Sequence, residues 1–245
     1  MRDEILDQLS WNGHRYVTGP VRGIVVRFHG LGAMNMKAAA DWPDLELASH
    51  GALVVEVFQD PWGWMNDPTR DLFDEVIDGV RARYGLDPSL PLIASGGSMG
   101  GHAALAYCFK SRHRVTACQV NCPVCDLPYH FTERPDLPRT FYHAYGREEG
   151  ILERLAGSSP LHQAARLPAI PYQILHGGED KAVSKEHHSD RLVAALRPRG
   201  LPLEYIEVPE MGHCGPFPTF ALYRRFMDFI EENLAPCSAP GRGAQ

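Results

Sequence analysis

Six short apolar runs alternate with stretches of helical period, and this alternation constrains the fold more than any other feature of the chain. The runs are "RGIVVRFHG" (22–30), "GALVVEVF" (51–58), "LPLIASG" (90–96), "RVTACQV" (114–120), "IPYQILHG" (170–177) and "PLEYIEVP" (202–209). Their Val, Ile and Leu content suits strands covered on both faces. Between them the patterns predict helices over 36–49, 69–84, 99–111, 185–197 and 217–234. In "DPTRDLFDEVIDGVRARYG" Leu72, Val76 and Val80 share a face with Phe73 and Ile77, with Asp67-Pro68 as a start and Gly85 as a stop. Such alternation implies parallel strands joined by crossover helices. The fold class read from it is α/β, with a doubly wound, mostly parallel sheet and helices on both faces.

In sheets of this kind ligands bind beyond the carboxyl ends of the strands, so residues that carry chemistry should follow strands. They do here: His29-Gly30-Leu31-Gly32, Ser98, Gly178-Glu179-Asp180 and Gly212-His213 each stand just after an apolar run. Residues 121–168 interrupt the alternation and are rich in Pro, His, Tyr and Phe. This stretch reads as a small cap insertion lying over the site, within a single domain spanning 1–234. The tail "APCSAPGRGAQ" (235–245) has too few apolar residues to pack and reads as disordered.

"GGSMGG" (96–101) surrounds Ser98 with four glycines. It satisfies G-x-S-x-G, and its place between a strand and a helix is the context that gives that motif meaning. The missing Cβ atoms let the turn be tight enough to lift a serine oxygen above the sheet. A serine hydroxyl needs a neighbouring base, itself oriented by a third group. His213, after the last apolar run, is the best base, and Asp180 the best orienting acid. The order Ser98, Asp180, His213 is the order of the α/β-hydrolases. Glu179 is the rival acid. His102 is read as packing beside the site, and His187 and His188 as solvated. The developing oxyanion needs donors, read as the backbone N–H groups of Met99, at a helix start, and Leu31, with Gly32 the neighbouring choice.

The formal charge of −6 argues against nucleic acid as the main partner, since phosphate binding needs a basic surface. No secretory leader and no bilayer-length apolar run is evident, so a cytoplasmic protein without a membrane partner is expected. Of six cysteines, Cys122-Pro-Val-Cys125 has the Cys-x-x-Cys spacing, but no second Cys/His pair stands at zinc-ribbon distance. Cys108, Cys118, Cys122, Cys125, Cys214 and Cys237 therefore read as structural or free thiols, with a local disulfide and metal or redox chemistry as alternatives. Nothing in the sequence calls for a metal or an organic cofactor.

"GGSMGGHAAL", "SSPLHQAARLPAIPYQILHGGEDKAVS" and "VPEMGH" resemble the catalytic domain of the prolyl-oligopeptidase-type branch of the α/β-hydrolases. Ser159-Pro160 and the His176 to Asp180 turn match two of its habits. The resemblance covers roughly residues 22 to 234 and implies a serine hydrolase acting through an acyl-enzyme. Two departures favour an ester substrate: the chain is too short for the oligopeptidases' β-propeller, and its His-Gly-Leu-Gly loop is closer to small esterases. Cleavage of a small carboxylic ester is the leading expectation. A peptidase or amidase acting on short peptides comes next, and a non-catalytic ligand-binding protein third. Trp62, Trp64, Phe131, Phe141 and Tyr142 are the aromatic residues expected near the substrate.

Overall fold

The computed structural model describes residues 1–147 and 149–236. Its centre is a seven-stranded sheet of β1 (Ser10–Asn12), β2 (Gly23–Phe28), β3 (Ala52–Val57), β4 (Leu92–Gly97), β5 (Ala117–Asn121), β6 (Tyr172–Gly177) and β7 (Leu203–Val208). The spatial order is β1-β3-β2-β4-β5-β6-β7, and every pairing is parallel except the antiparallel β1–β3 edge. The helices are α1 (Asp3–Leu9), α2 (Trp42–Ser49), α3 (Asp67–Tyr84), α4 (Met99–Lys110), α5 (Leu127–Glu133), α6 (Pro138–Tyr145), α7 (Ile151–Ser158), α8 (Arg191–Leu196) and α9 (Phe220–Glu232). The six apolar runs all become strands and the doubly wound class holds.

Strand alternation divides the core in two. Ile24, Val26, Phe28, Leu53, Val55, Leu92, Ala94 and Ile174 face α3, α4 and α8, where they meet Phe73, Ile77, Leu105 and Leu192. Val25, Val54, Ile93 and Ala117 face α2 and α9, where Leu47, Met227 and Ile230 cover them. On this second face a polar row crosses six strands in register: Glu56, Arg27, Ser95, Gln119, Gln173 and Glu204. Buried polar groups of this kind require partners. Gln119 Nε2 donates to Gln173 Oε1 (2.8 Å), and Gln173 Nε2 donates to Glu204 Oε2 (2.8 Å). Arg27 pairs with the buried Asp44 of α2, which also takes Lys37 Nζ at 2.6 Å.

Several expected boundaries move for local reasons. The helix expected over 36–49 begins only at Trp42. Asp41 caps it by accepting from the Asp44 N–H while Asp44 answers at the Asp41 N–H, and Pro43 sits in the first turn, where its missing donor costs nothing. The stretch expected as one helix over 185–197 opens with a π-turn, Glu186–Asp190, before α8. The edge pair α1 and β1 was not anticipated, because β1 has three residues and no apolar run. Between β5 and β6 the stretch expected as a cap holds α5, α6 and α7. Of the tail 235–245, residues 237–245 lie outside the described residues, whereas Ala235 is tied to Arg22 by bonds in both directions. Among the described residues no helix is long and apolar enough to cross a membrane.

Candidate active site

β4 ends in a turn that places Ser98 at positive φ, 58° with ψ −124°, immediately before α4. A non-glycine residue at positive φ is strained, and the surroundings must hold it there. The Ser98 N–H donates to Asn121 O (3.0 Å), while its carbonyl accepts from His102 and Val124. The glycines make this possible by close approach. A Cβ on Gly96 would overlap the Gly100 carbonyl, and one on Gly100 would overlap the Phe28 carbonyl. Helix α4 can therefore start directly against β2 and β4, with the serine oxygen on the open side.

Asp180 and His213 arrive on loops following β6 and β7, and these loops are stitched together. Gly178 N–H donates to Val208 O (2.8 Å) and Glu179 N–H to Met211 O (3.1 Å). Ser98 Oγ lies 2.8 Å from His213 Nε2, and His213 Nδ1 lies 2.7 Å from Asp180 Oδ2. Asp180 Oδ1 accepts from the N–H groups of Ala182 (2.8 Å) and Val183 (2.9 Å). The fully buried His176 approaches Asp180 Oδ2 at 3.3 Å and is itself fixed by Ser189 Oγ at 2.7 Å. Glu179, the rival acid, is exposed and stands outside this chain of bonds.

Burial opposes the Asp180 charge, but the bonds from His176, His213 and two backbone donors hold its carboxyl well below the usual carboxylate range. For His213 burial favours the neutral ring. The bond to Asp180 and the nearby Cys122 sulfur outweigh it, and the pKa is raised to about 9. A serine hydroxyl, an imidazole and a carboxylate thus stand in one line, able to pass a proton away from Ser98.

A cavity of about 500 Å³ opens over Ser98, lined by Gly30, Leu31, Trp64, His130, Arg134 and Val183 among others. Leu31 is therefore at the site, as the strand-end rule required. Gly32 spends its N–H on Pro61 O (2.9 Å). Met99 opens α4, so its N–H has no helical acceptor four residues back. Of the five aromatic residues expected near a substrate, Trp64 lines the cavity. Phe141 stacks on Trp64 from behind (4.4 Å between centroids), and Phe131 packs on Phe141. Trp62 meets His143 edge-on and Tyr142 meets Phe131, away from the cavity wall.

Trp64 and Met65 are both buried at positive φ, 43° and 49°. Their strained backbone is held by its carbonyls: Trp64 O accepts from His102 Nε2 (3.1 Å) and Tyr145 Oη (2.6 Å), and Met65 O from Lys110 Nζ (2.7 Å). His102 is wholly buried, and burial lowers its pKa to about 3, so it stays neutral as a packing residue. His188 departs from expectation. The π-turn directs it inward, where it is fully buried, Nδ1 accepts from the N–H groups of Cys125 and Asp126, and Nε2 lies 3.0 Å from Glu133 Oε2. Glu133 also bonds His130 Nδ1 (2.5 Å) and Ser184 N (2.7 Å), which latches α5 to the loop carrying Asp180. The half-buried His187 stacks on Tyr129 at 4.0 Å.

The described cysteines are all free, so Cys122 and Cys125 do not bridge. Cys122 instead faces the triad: its Sγ accepts from the Cys214 N–H (3.3 Å) and lies within 4.8 Å of ligand atoms of both His213 and Cys214. The sequence carried a signal for this, since Cys214 follows His213 directly and Cys122 follows β5. Close sets of potential metal ligands among the described residues are Cys122, His213 and Cys214; Cys122, His176 and Asp180; and His130, Glu133 and His188, and in the last of these Glu133 already bonds both imidazoles.

Solved structures with this architecture include a Mycobacterium tuberculosis puromycin-hydrolysing peptidase (21% identity, TM-score 0.72, 89% of this chain and 35% of that one). Pyrococcus horikoshii acylaminoacyl peptidase matches at 16% identity and TM-score 0.75, over 94% of this chain and 40% of that one. Porphyromonas gingivalis dipeptidyl peptidase 4 matches at 19% identity and TM-score 0.64, over 92% and 33%. At such identities they establish the α/β-hydrolase fold, and the chain spans 33% to 40% of their lengths. No relative among curated proteins matches. The prolyl oligopeptidase family model matches residues 66–237, well over half of the sequence and including Ser98, Asp180 and His213. The chain belongs to the prolyl oligopeptidase family.

Proposed function

We propose that this protein is a serine hydrolase, and within that class a peptidase that cleaves short peptides or aminoacyl amides through an acyl-enzyme. The observation that carries the reading is the unbroken line Ser98–His213–Asp180, with bonds of 2.8 and 2.7 Å. In the proposed reaction His213 Nε2 takes the Ser98 proton as Oγ attacks the acyl carbon. The Met99 and Leu31 N–H groups receive the developing oxyanion, and the imidazolium then protonates the leaving amine. Water, activated by the same imidazole, hydrolyses the acyl-enzyme. Family membership supports an amide substrate over the ester that the loop composition favoured. Helices α5–α7, packed through Leu127, Phe141 and Leu155 onto Trp64, Met99 and Val183, are read as the cap that limits substrate size.

The test is a fluorophosphonate probe followed by peptide mapping, with p-nitrophenyl esters run beside aminoacyl and prolyl anilides. Label on Ser98 with anilide turnover is expected, and Ser98→Ala should abolish both while remaining folded. Ester turnover without anilide turnover would replace the peptidase reading. A folded protein that takes no label at Ser98 would remove the hydrolase reading altogether.

A further inference from the structure

The cysteine pair beside His213 has no part in the proton line, yet it ties the segment after β5 to the loop that carries His213. Cys122 follows β5 at φ 46°, and Cys214 follows His213 at φ 47°. Both are non-glycine residues in the left-handed region, held there by tertiary contacts. Cys122 is fully buried, whereas Cys214 is exposed. Their sulfurs lie within 4.8 Å of each other, and the Cys214 N–H already points at the Cys122 sulfur. Cys214 Sγ donates to Asn121 O (3.4 Å), the same carbonyl that accepts the Ser98 N–H at 3.0 Å. The neighbouring Cys214 favours charge on Cys122, and with His213 nearby the Cys122 pKa falls to about 5 despite burial, while the same proximity pushes the Cys214 thiol well up. Cys125 differs: it is enclosed, burial pushes its thiol up, and its sulfur donates to Pro123 O (3.5 Å).

We propose that Cys122 and Cys214 form an oxidisable dithiol, which a hydroperoxide converts to a disulfide that draws His213 away from Ser98 and which a thiol reductant restores. Cys214 is the exposed sulfur, but its thiol is held protonated beside Cys122, so the Cys122 thiolate first takes its proton. The Cys214 thiolate then attacks the peroxide and becomes a sulfenic acid, while the released hydroxide or alkoxide takes the proton back from Cys122 and leaves as water or an alcohol. The Cys122 thiolate then attacks that sulfur, the S–S bond forms, and hydroxide leaves and takes up the remaining proton as water. Two thiols lose two electrons and two protons, and the peroxide gains them. Closing the sulfurs to the ~2.05 Å of a disulfide turns the Cys214 side chain away from Asn121 O and moves its neighbour His213. A displacement near 1 Å of a positioned base costs on the order of 10²-fold in rate.

This inference rests on the loop geometry and holds for any serine-hydrolase substrate. The full chain is treated briefly with hydrogen peroxide in the presence of a chelator, alkylated and mapped by tandem mass spectrometry, while the rate of fluorophosphonate labelling at Ser98 is followed. The expected result is a cross-link between Cys122 and Cys214, labelling slowed by about 10²-fold, and recovery with dithiothreitol. Cys214→Ser should form no cross-link and label, after the same exposure, at the rate of its own reduced form. Labelling that stays fast once the cross-link is complete would overturn the proposal, as would a Cys122–Cys125 bridge or oxidation of Cys214 without a bridge. If reduced protein fails to label at Ser98, the hydrolase reading falls, and the cross-link map still decides whether the dithiol exists.

Discussion

Ser98, His213 and Asp180 illustrate how single side chains are tuned by what touches them. Asp180 accepts from four donors, so its charge is retained to low pH and the imidazole it faces is stabilised as a cation. Asp180→Asn keeps the shape but permits the wrong His213 tautomer, and under the proposed mechanism kcat should fall by roughly 10⁴, the loss typical of a Ser-His-Asp triad. Retention of full activity would return the acid role to Glu179. The pH dependence follows from the sign of the His213 shift. Its folded pKa, raised to about 9 from 6.5, contributes stability that is complete below 6.5 and lost as pH rises through about 9. In the proposed reaction the neutral ring is the base, so kcat/KM should climb through neutrality to a limb near 9. A limb at the ordinary imidazole value, read from the pH profile of anilide turnover, would contradict the arrangement.

Elements meet the site through close backbone approach. The β4–α4 turn works because α4 starts with Gly100 against the Phe28 carbonyl. Gly100→Ala should therefore force β2 and α4 apart, destabilise the protein by about 1–3 kcal/mol in urea unfolding, and slow labelling of Ser98. An unchanged midpoint would mean that the contact relaxes freely. Glu133 plays a comparable part for α5, joining His130, His188 and the Ser184 N–H. Its carboxyl is held well below the usual range by those bonds against the cost of burial, so the latch gives stability above about pH 4.5 that is lost as pH falls further. Glu133→Ala leaves two buried imidazoles and the half-buried Ser184 N–H without this partner and should cost about 1–3 kcal/mol.

Over the whole molecule, the polar row across the sheet is the least expected feature. Arg27, Glu56, Ser95 and Gln119 floor a second cavity of about 390 Å³ under α9, which shares Gly97 and Cys214 with the cavity above Ser98. Asp44 anchors one end of the row by taking both Arg27 and Lys37 while 1% exposed. Asp44→Ala leaves Arg27 and Lys37 only the exposed Asp41 carboxylate and should cost about 1–3 kcal/mol, measurable as a lowered Tm; a change within error would show the pair to be solvated.

The boundary between what is local and what is tertiary runs through these same residues. By itself the sequence determined the six parallel strands, because Val, Ile and Leu in short runs can be satisfied only by cover on both faces. It also determined the order of Ser98, Asp180 and His213 at strand ends, because a tight strand-to-helix turn demands the glycines around Ser98. Tertiary structure alone decided that Asp180 and not Glu179 reaches His213, that His188 turns inward, and that Cys122 faces Cys214 across 92 positions of chain. Each of those depends on the register and crossing of segments far apart in sequence, where direction rather than residue type selects the partner. The polar row was written letter by letter inside apolar runs, but only the pairing of six strands aligns it.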